Sequence, residues 1–349
     1  FYSVIAGICL NYIFIAVSSS GAISASEQFG NVISSPMNLL FWHTSFMVLT
    51  TLIVAAGVKE GIGRMVKILM PMLGFLMIFM VIYSIINGDF NRAMSFLFAP
   101  DFSNVTSDTV LQAMGQAFFS LSLGMGSIMA YGAYMPKNQD ITSTSFTVAS
   151  LDTLIAILAG LAIFPIIFAF NLEPGSGPGL VFVSMLSAFN QMQFGQLIGP
   201  LFFILLSVAA LSSSISLLEP GVAYLSEEGI LSRGQAAMAI SFFVWVLGTG
   251  SALSFNIWSD FHLISEKNFL DSMDFLANQI LLPLGGMLIA IFVGWFMKES
   301  LIKEEIGAIN PVIYYLWRFF VKFIAPACVA YIFLSQIFDL NWIFDLYSA

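Results

Sequence analysis

Long apolar runs separated by short polar breaks dominate the chain. A run of about twenty residues that is apolar on every side leaves no solvated face, so it reads as a helix in hydrocarbon and not on a soluble core. About nine such runs occur, at residues 2–20, 39–58, 68–86, 111–135, 146–170, 197–226, 235–252, 275–297 and 311–333. The fourth is unlike the rest. In its middle stands Phe118-Phe119-Ser120-Leu121-Ser122-Leu123-Gly124-Met125-Gly126-Ser127. A spanning helix must satisfy its own backbone, and a Gly-Met-Gly flanked by three serines does this poorly. The pattern predicts a helix that stops near Ser122 to Gly126 and restarts, with two half-helix ends able to hold an anionic group and a cation. Close helix packing through small residues is the competing reading, and the residues alone leave both open. The eighth run carries Pro283 and Gly285-Gly286, which predict a kink. Between the fifth and sixth lies a glycine-proline loop at residues 173–179, then an amphipathic stretch at 180–189, read as a re-entrant or capping loop.

Composition agrees with that pattern. The 349 residues are 59% hydrophobic and 9% charged, with a mean hydropathy of +0.93. A water-soluble surface needs far more charge, so the reading is a single integral membrane domain embedded in a lipid bilayer. The net charge of -9 comes mostly from acids in short loops, and the 11 Lys and Arg form no basic stripe, which excludes a nucleic-acid partner. Lys59, Arg64, Lys67, Lys137, Arg233, Lys298, Lys303, Arg318 and Lys322 fall on one set of alternating loops, against Arg92 and Lys267 on the other. The richer set is expected to face the cytoplasm. Cys9 and Cys328 lie in distant apolar runs, so inert thiols are expected over a disulfide. Phe1 is not a start methionine and no charged region precedes the first run, which points to missing N-terminal sequence and to no signal peptide.

Ionisable groups inside apolar spans are costly and point to function. Asp152 in the fifth run reads as an ion-site residue in preference to an interfacial helix cap. Glu219, before Pro220 in the sixth, reads equally as a solvated gate residue or a direct ligand. Asp274, at the outer end of the eighth, reads as a surface carboxylate from position alone. In Ala209-Ala210-Leu211-Ser212-Ser213-Ser214, positions 209, 212 and 213 share one helical face, where a carbonyl and two hydroxyls suit a small monovalent cation. Small-residue packing, with the hydroxyls bonded back to the preceding turn, is the plainer reading of that spacing. His43 and His262 are isolated, no carboxylate or thiol cluster has metal spacing, and no phosphate loop is present, so nothing points to an enzyme.

Several motifs then fall in a recognisable order. Residues 115–127, Gly-Gln-Ala-Phe-Phe-Ser-Leu-Ser-Leu-Gly-Met-Gly-Ser, resemble the sixth helix of the neurotransmitter:sodium symporters, the LeuT-type amino-acid transporters. Phe-Tyr-Ser-Val-Ile-Ala-Gly at the start, Gly-Ile-Gly-Arg-Met-Val-Lys-Ile-Leu-Met-Pro (61–71) and Pro-Asp-Phe (100–102) match in the same order. So do Ala-Leu-Ser-Ser-Ser-Ile-Ser (210–216), Leu-Ser-Glu-Glu-Gly-Ile-Leu-Ser-Arg (225–233) and Asp-Ser-Met-Asp-Phe (271–275). The chain is most similar to the bacterial branch. The resemblance implies an all-α inverted-repeat transporter bundle, here family helices 3–11 with helix 6 broken and helices 1 and 2 absent. It also implies a multi-pass protein of a bacterial inner membrane and leaves room for a homodimer.

The resemblance also assigns residues. Tyr2 matches the tyrosine whose hydroxyl meets the substrate carboxylate, and Phe119 the aromatic lid. Ser122, Met125 and Gly126 match the unwound pocket wall, and Leu217 an apolar pocket residue. Ser120 and Asp152 match the first sodium site, where many members have Asn at the second position. Ala209, Ser212 and Ser213 match the second sodium site. Gln116 and Asp274 match an outer gate, which replaces the surface reading of Asp274. The implied activity is sodium-coupled amino-acid symport by alternating access, with two sodium ions. The fixed carboxylate of Asp152 makes chloride unnecessary. Met125, where others carry Phe, points to hydrophobic or aromatic solutes. A proton-coupled transporter of the same architecture, with Asp152 or Glu219 as carrier, and a non-transporting membrane fragment are the alternatives.

Overall fold

The computed structural model describes residues 1–19, 23–136, 138–264, 266–306 and 310–337. Ser20, the end of the first predicted span, and Lys137, one of the basic residues counted for orientation, lie outside the described residues. The helices run α1 (Tyr2–Ser18), α2 (Ala25–Ser34), α3 (Pro36–Ala55), α4 (Gly63–Asn87), α5 (Phe90–Phe98), α6 (Ser107–Ser120), α7 (Ser127–Ala133) and α8 (Ile141–Ala169). They continue with α9 (Met185–Gln191), α10 (Gly195–Glu227), α11 (Arg233–Leu253), α12 (Phe269–Asp274), α13 (Leu282–Ile291), α14 (Glu299–Ile306), α15 (Pro311–Phe319) and α16 (Ala325–Ile337). One short hairpin, His262–Ile264 paired antiparallel with Lys267–Asn268, is the addition that the apolar pattern did not signal.

Among the described residues, seven helices are long and apolar enough to cross a membrane. The 17-residue α1 and the interrupted pair α6 and α7 fill the other two predicted positions. Polar caps set the starts. The Ser35 hydroxyl accepts from the Asn38 N–H ahead of Pro36, the Asp89 carboxylate accepts from Arg92, and Ser232 pairs with Gln235 at the head of α11. Each supplies an acceptor or donor that the first helical turn lacks. Short helices α2 and α5 occupy stretches that hydropathy leaves as loops, because about ten residues are too few to register in a spanning window.

The chain forms two compact units. The first comprises residues 1–100 and 155–273. Here α1 lies against α10 and α3, and α3 lies against α11. The close approach rests on Gly7, where a Cβ would stand 2.8 Å from the His43 backbone nitrogen. In lipid, packing of this kind holds helices together where the hydrophobic effect does not. Tyr12, Phe182, Phe203, Phe189 and Phe202 form a buried aromatic cluster. Phe182 belongs to the π-helix Gly179–Ser184 that leads into α9, so the stretch expected to be a re-entrant or capping loop is a helix inside the core. Its apolar face is the reason: Met185, Leu186 and Ala188 are buried as well.

The second unit comprises residues 101–154 and 274–349. It contains α6, α7, the start of α8, and α13 packed on α16. Among its described residues, three π-helices interrupt the long helices, at Phe275–Leu281, Phe292–Phe296 and Phe320–Ile324. The Trp295 indole N–H donates to the Lys322 carbonyl at 3.2 Å, and the Lys322 ammonium lies over the same ring. Glu299 pairs with Lys303 at 2.8 Å and Arg318 at 3.3 Å. The Lys303 hydrogen bond holds the Glu299 carboxyl below its ordinary pKa, and the same bond raises that of Lys303.

Candidate functional site

Helix α6 ends at Ser120 and α7 begins at Ser127, so six residues separate two half-helices. The break falls where Gly-Met-Gly and its serines predict it. Three of its residues have left-handed backbone, Ser122 at φ 55°, Gly124 at 84° and Gly126 at 83°. For the two glycines that conformation costs little, whereas Ser122 carries a Cβ in it. The end of α6 is closed by N–H donors of the turn: Leu121 and Ser122 donate to the carbonyls of Ala117 and Phe119, and Leu123 to that of Phe118.

The same turn also packs closely, so both readings left open by the sequence hold at once. A Cβ on Gly124 would stand 2.7 Å from the Gly286 nitrogen and nearer still to the Leu282 carbonyl oxygen. A Cβ on Gly285 would meet the Gly124 carbonyl oxygen, and one on Gly286 would enter the Phe118 ring. The glycine pair expected to kink the eighth run therefore serves as the seat of the broken helix. Nothing in the sequence singles out Phe118, Leu282, Gly285 and Gly286 by function. The usable signal is a pair of glycines in each of two apolar runs.

At the end of α6 the Ser120 hydroxyl donates to the Asp152 carboxylate at 2.9 Å. These two residues, predicted as ligands of one cation, are thus brought together within the second unit. Ser120 and Phe119 are exposed, and Ser122, Met125 and Gly126 are half-buried. Gln116 is exposed on α6, one turn before Ser120. Asp274 is half-buried at the end of α12 and accepts from the Asn278 amide at 2.7 Å. A cavity of about 950 Å³ in this unit is lined by Leu121, Leu123, Tyr131, Met135 and Glu304 among others. None of the residues expected to form the substrate wall lines it, and it carries no part of the assignment.

In the first unit, Ala209, Ser212 and Ser213 share one face of α10. The Ser212 hydroxyl donates to the Ala209 carbonyl at 2.8 Å, so a carbonyl and a hydroxyl already converge there. The bond is also the back-bonding that plain packing predicts, and a hydroxyl must turn its proton away before its oxygen can face a cation. Behind this face, Ser214 is hydrogen-bonded with Thr50 of α3 at 2.8 Å, which fixes α10 against its neighbour. Tyr2 donates to the Ala210 carbonyl at 3.3 Å, and Leu217 is exposed two turns beyond Ala210.

Glu219 is not the solvated gate residue that its position allows, because its side chain is buried. Both its oxygens accept from Arg233, at 3.0 and 2.6 Å, and the Arg233 Nε donates to the Val54 carbonyl at 3.0 Å. The pair ties α10, the start of α11 and the end of α3 together. Burial selects the pairing, because a lone carboxylate there would be prohibitively costly. By sequence alone Arg233 is only a loop cation. Cys9 is buried and Cys328 half-buried, both as free thiols.

Known proteins resemble the chain over nearly its whole length. The model of the sodium:neurotransmitter symporter family matches residues 23–347. A sodium-dependent transporter of Bacillus subtilis, itself uncharacterised, is 34% identical over 346 residues, which is 97% of this chain and 76% of that protein. An uncharacterised sodium-dependent transporter of Haemophilus influenzae is 32% identical over 97% of this chain and 76% of its own length. The crystal structure of MhsT in complex with L-phenylalanine superposes with a TM-score of 0.88 at 44% identity, covering 96% of this chain and 77% of that one.

Proposed function

The chain belongs to the sodium:neurotransmitter symporter family, a multi-pass membrane transporter of LeuT-type fold and not an enzyme, and from that premise we propose that it carries hydrophobic or aromatic amino acids inward with sodium. The observation that carries the reading is the interrupted helix with the Ser120 hydroxyl on the Asp152 carboxylate at its break. Ser120 and Asp152 would bind the first sodium. Ala209, Ser212 and Ser213 would bind the second. Tyr2 would hold the substrate carboxylate through its hydroxyl, and Phe119, Ser122, Met125, Gly126 and Leu217 would surround the rest. Gln116 and Asp274 would form the outer gate.

The substrate class rests on three supports. Met125 is flexible and repacks around different shapes. The turn that bears it has soft glycine backbone on both sides. The related MhsT was crystallised with L-phenylalanine. Substrate carboxylate and sodium would share a site, so binding of each strengthens the other. Bacterial relatives favour an inner-membrane location. The test is uptake by the full-length protein in liposomes, with sodium replaced by choline at fixed pH. Sodium-stimulated uptake of phenylalanine or tryptophan, competed by other apolar amino acids and not by glycine or glutamate, is the expected result. Uptake that ignores sodium and follows a pH gradient would replace sodium by protons, and preference for glycine or acidic solutes would overturn the substrate class.

A further inference from the structure

The contact between the broken helix and α13 is backbone against backbone. Gly285 faces the Gly124 carbonyl, Gly124 faces the Gly286 nitrogen and the Leu282 carbonyl, and the Phe118 ring fills the space beside Gly286. Residues 122–126 are not helical, and three of them, Ser122, Gly124 and Gly126, have left-handed φ, so no helical hydrogen-bond ladder fixes the height of the turn. The surface that the turn leans on therefore sets its position. The π-helix Phe275–Leu281 comes immediately before α13. One extra residue in a turn rotates the downstream helix by about 100° relative to a continuous α-helix. Leu282, Gly285 and Gly286, which follow the π-helix, are the residues that meet the turn.

We propose that Gly285 and Gly286 are positioning residues that set the depth of the substrate pocket, and so the largest side chain it accepts, by acting through Gly124 and Phe118. The proposal rests on the reading of Phe119, Ser122, Met125 and Gly126 as the pocket wall. With no Cβ on either glycine the turn sits close against α13. A methyl group at position 285 meets main chain that has no rotamer to escape into, so the turn is lifted off its seat toward the substrate side. A methyl at 286 meets an aromatic side chain, which can be shortened.

The test measures KM and maximal rate for a large solute, tryptophan, and a small one, alanine, in liposomes containing the full-length protein. Gly285→Ala is expected to raise the KM for tryptophan about tenfold relative to that for alanine, the usual cost of one methyl group in an apolar pocket. Gly286→Ala is expected to do the same, and Phe118→Leu in the same chain is expected to reverse it. Phe118→Leu is not expected to rescue Gly285→Ala, because the obstacle there is the Gly124 carbonyl. Equal losses for both solutes, or failure of Phe118→Leu to rescue Gly286→Ala, overturn the proposal and leave the glycines as packing alone. The Gly286→Ala, Phe118→Leu pair keeps the test decisive where Gly285→Ala does not fold. A wild type without sodium-stimulated uptake of any amino acid overturns the functional reading and this proposal with it. A transporting wild type with size-blind variants overturns this proposal alone.

Discussion

The Ser120 hydroxyl donates to the Asp152 carboxylate at 2.9 Å, from the last residue of α6 to the fourth turn of α8. A carboxylate at this point places a fixed negative charge beside the proposed first sodium, where a neutral amide would need an added anion to balance the ion. Opposite charges a few ångströms apart interact by about 4 kcal/mol at the effective dielectric of a protein surface. Uptake is therefore expected to be unchanged when chloride is replaced by gluconate. Asp152→Asn is expected to raise the sodium concentration for half-maximal uptake by about tenfold or more, since the pair of charges is worth at least about 1.4 kcal/mol there. Collapse of wild-type uptake in gluconate would remove the argument.

The proposed second cation site would depend on hydroxyls of one helix face. Ser212 gives its proton to the Ala209 carbonyl, and Ser213 is exposed on the same face. Ser212→Ala with Ser213→Ala deletes the two proposed ligand oxygens but no packing volume larger than a hydroxyl. The helix, held from behind by the Ser214–Thr50 bond, is expected to stay in place. Sodium stimulation of uptake should disappear while the melting temperature moves little. Retained sodium dependence in the double variant would rule out a cation site on this face.

Tyr2 reaches the Ala210 carbonyl next to that site. The bond is long at 3.3 Å, so exchanging it for a substrate carboxylate loses little and gains a charge-assisted hydrogen bond. Tyr2→Phe keeps the ring and removes only the hydroxyl. The expected result is an affinity for amino acid lower by about tenfold, the worth of a hydrogen bond to a charged group, with an unchanged fold by circular dichroism. A Tyr2→Phe protein that binds as tightly as the wild type would leave Tyr2 as part of the helix contact.

The broken helix is legible in the sequence because it violates a local rule: glycines and serines stand where a membrane helix needs good formers. Most span positions are legible because hydropathy has no competing signal in lipid. Pairing Ser120 with Asp152 requires the family resemblance, because 32 residues separate them and no periodicity links two helices. The seat formed by Gly285 and Gly286 looks like a kink in sequence, since a glycine does not say whether it bends its helix or admits a neighbour. Residues 179–191 resemble a loop because proline and glycine precede them, although their apolar face is visible. Glu219 is hard to place because its partner lies beyond a turn, in a segment that shows only its charge.

That partner makes the last prediction. Arg233 contacts both oxygens of Glu219 and the carbonyl of Val54, with Glu219 fully buried and the Arg233 side chain 21% exposed. Removing Arg233 leaves Glu219 buried without that counter-charge, which costs about 3–5 kcal/mol. Arg233→Met is expected to be the more damaging single change, because it strips both Glu219 oxygens and the Val54 carbonyl of a donor. Glu219→Gln leaves an uncharged acceptor for the guanidinium and should cost less. Combining Glu219→Gln with Arg233→Met removes both charges, so its melting temperature in detergent should lie above that of Arg233→Met alone. Additive losses in the double variant would mean that the two side chains act independently, and that the ends of α3, α10 and α11 are held by something else.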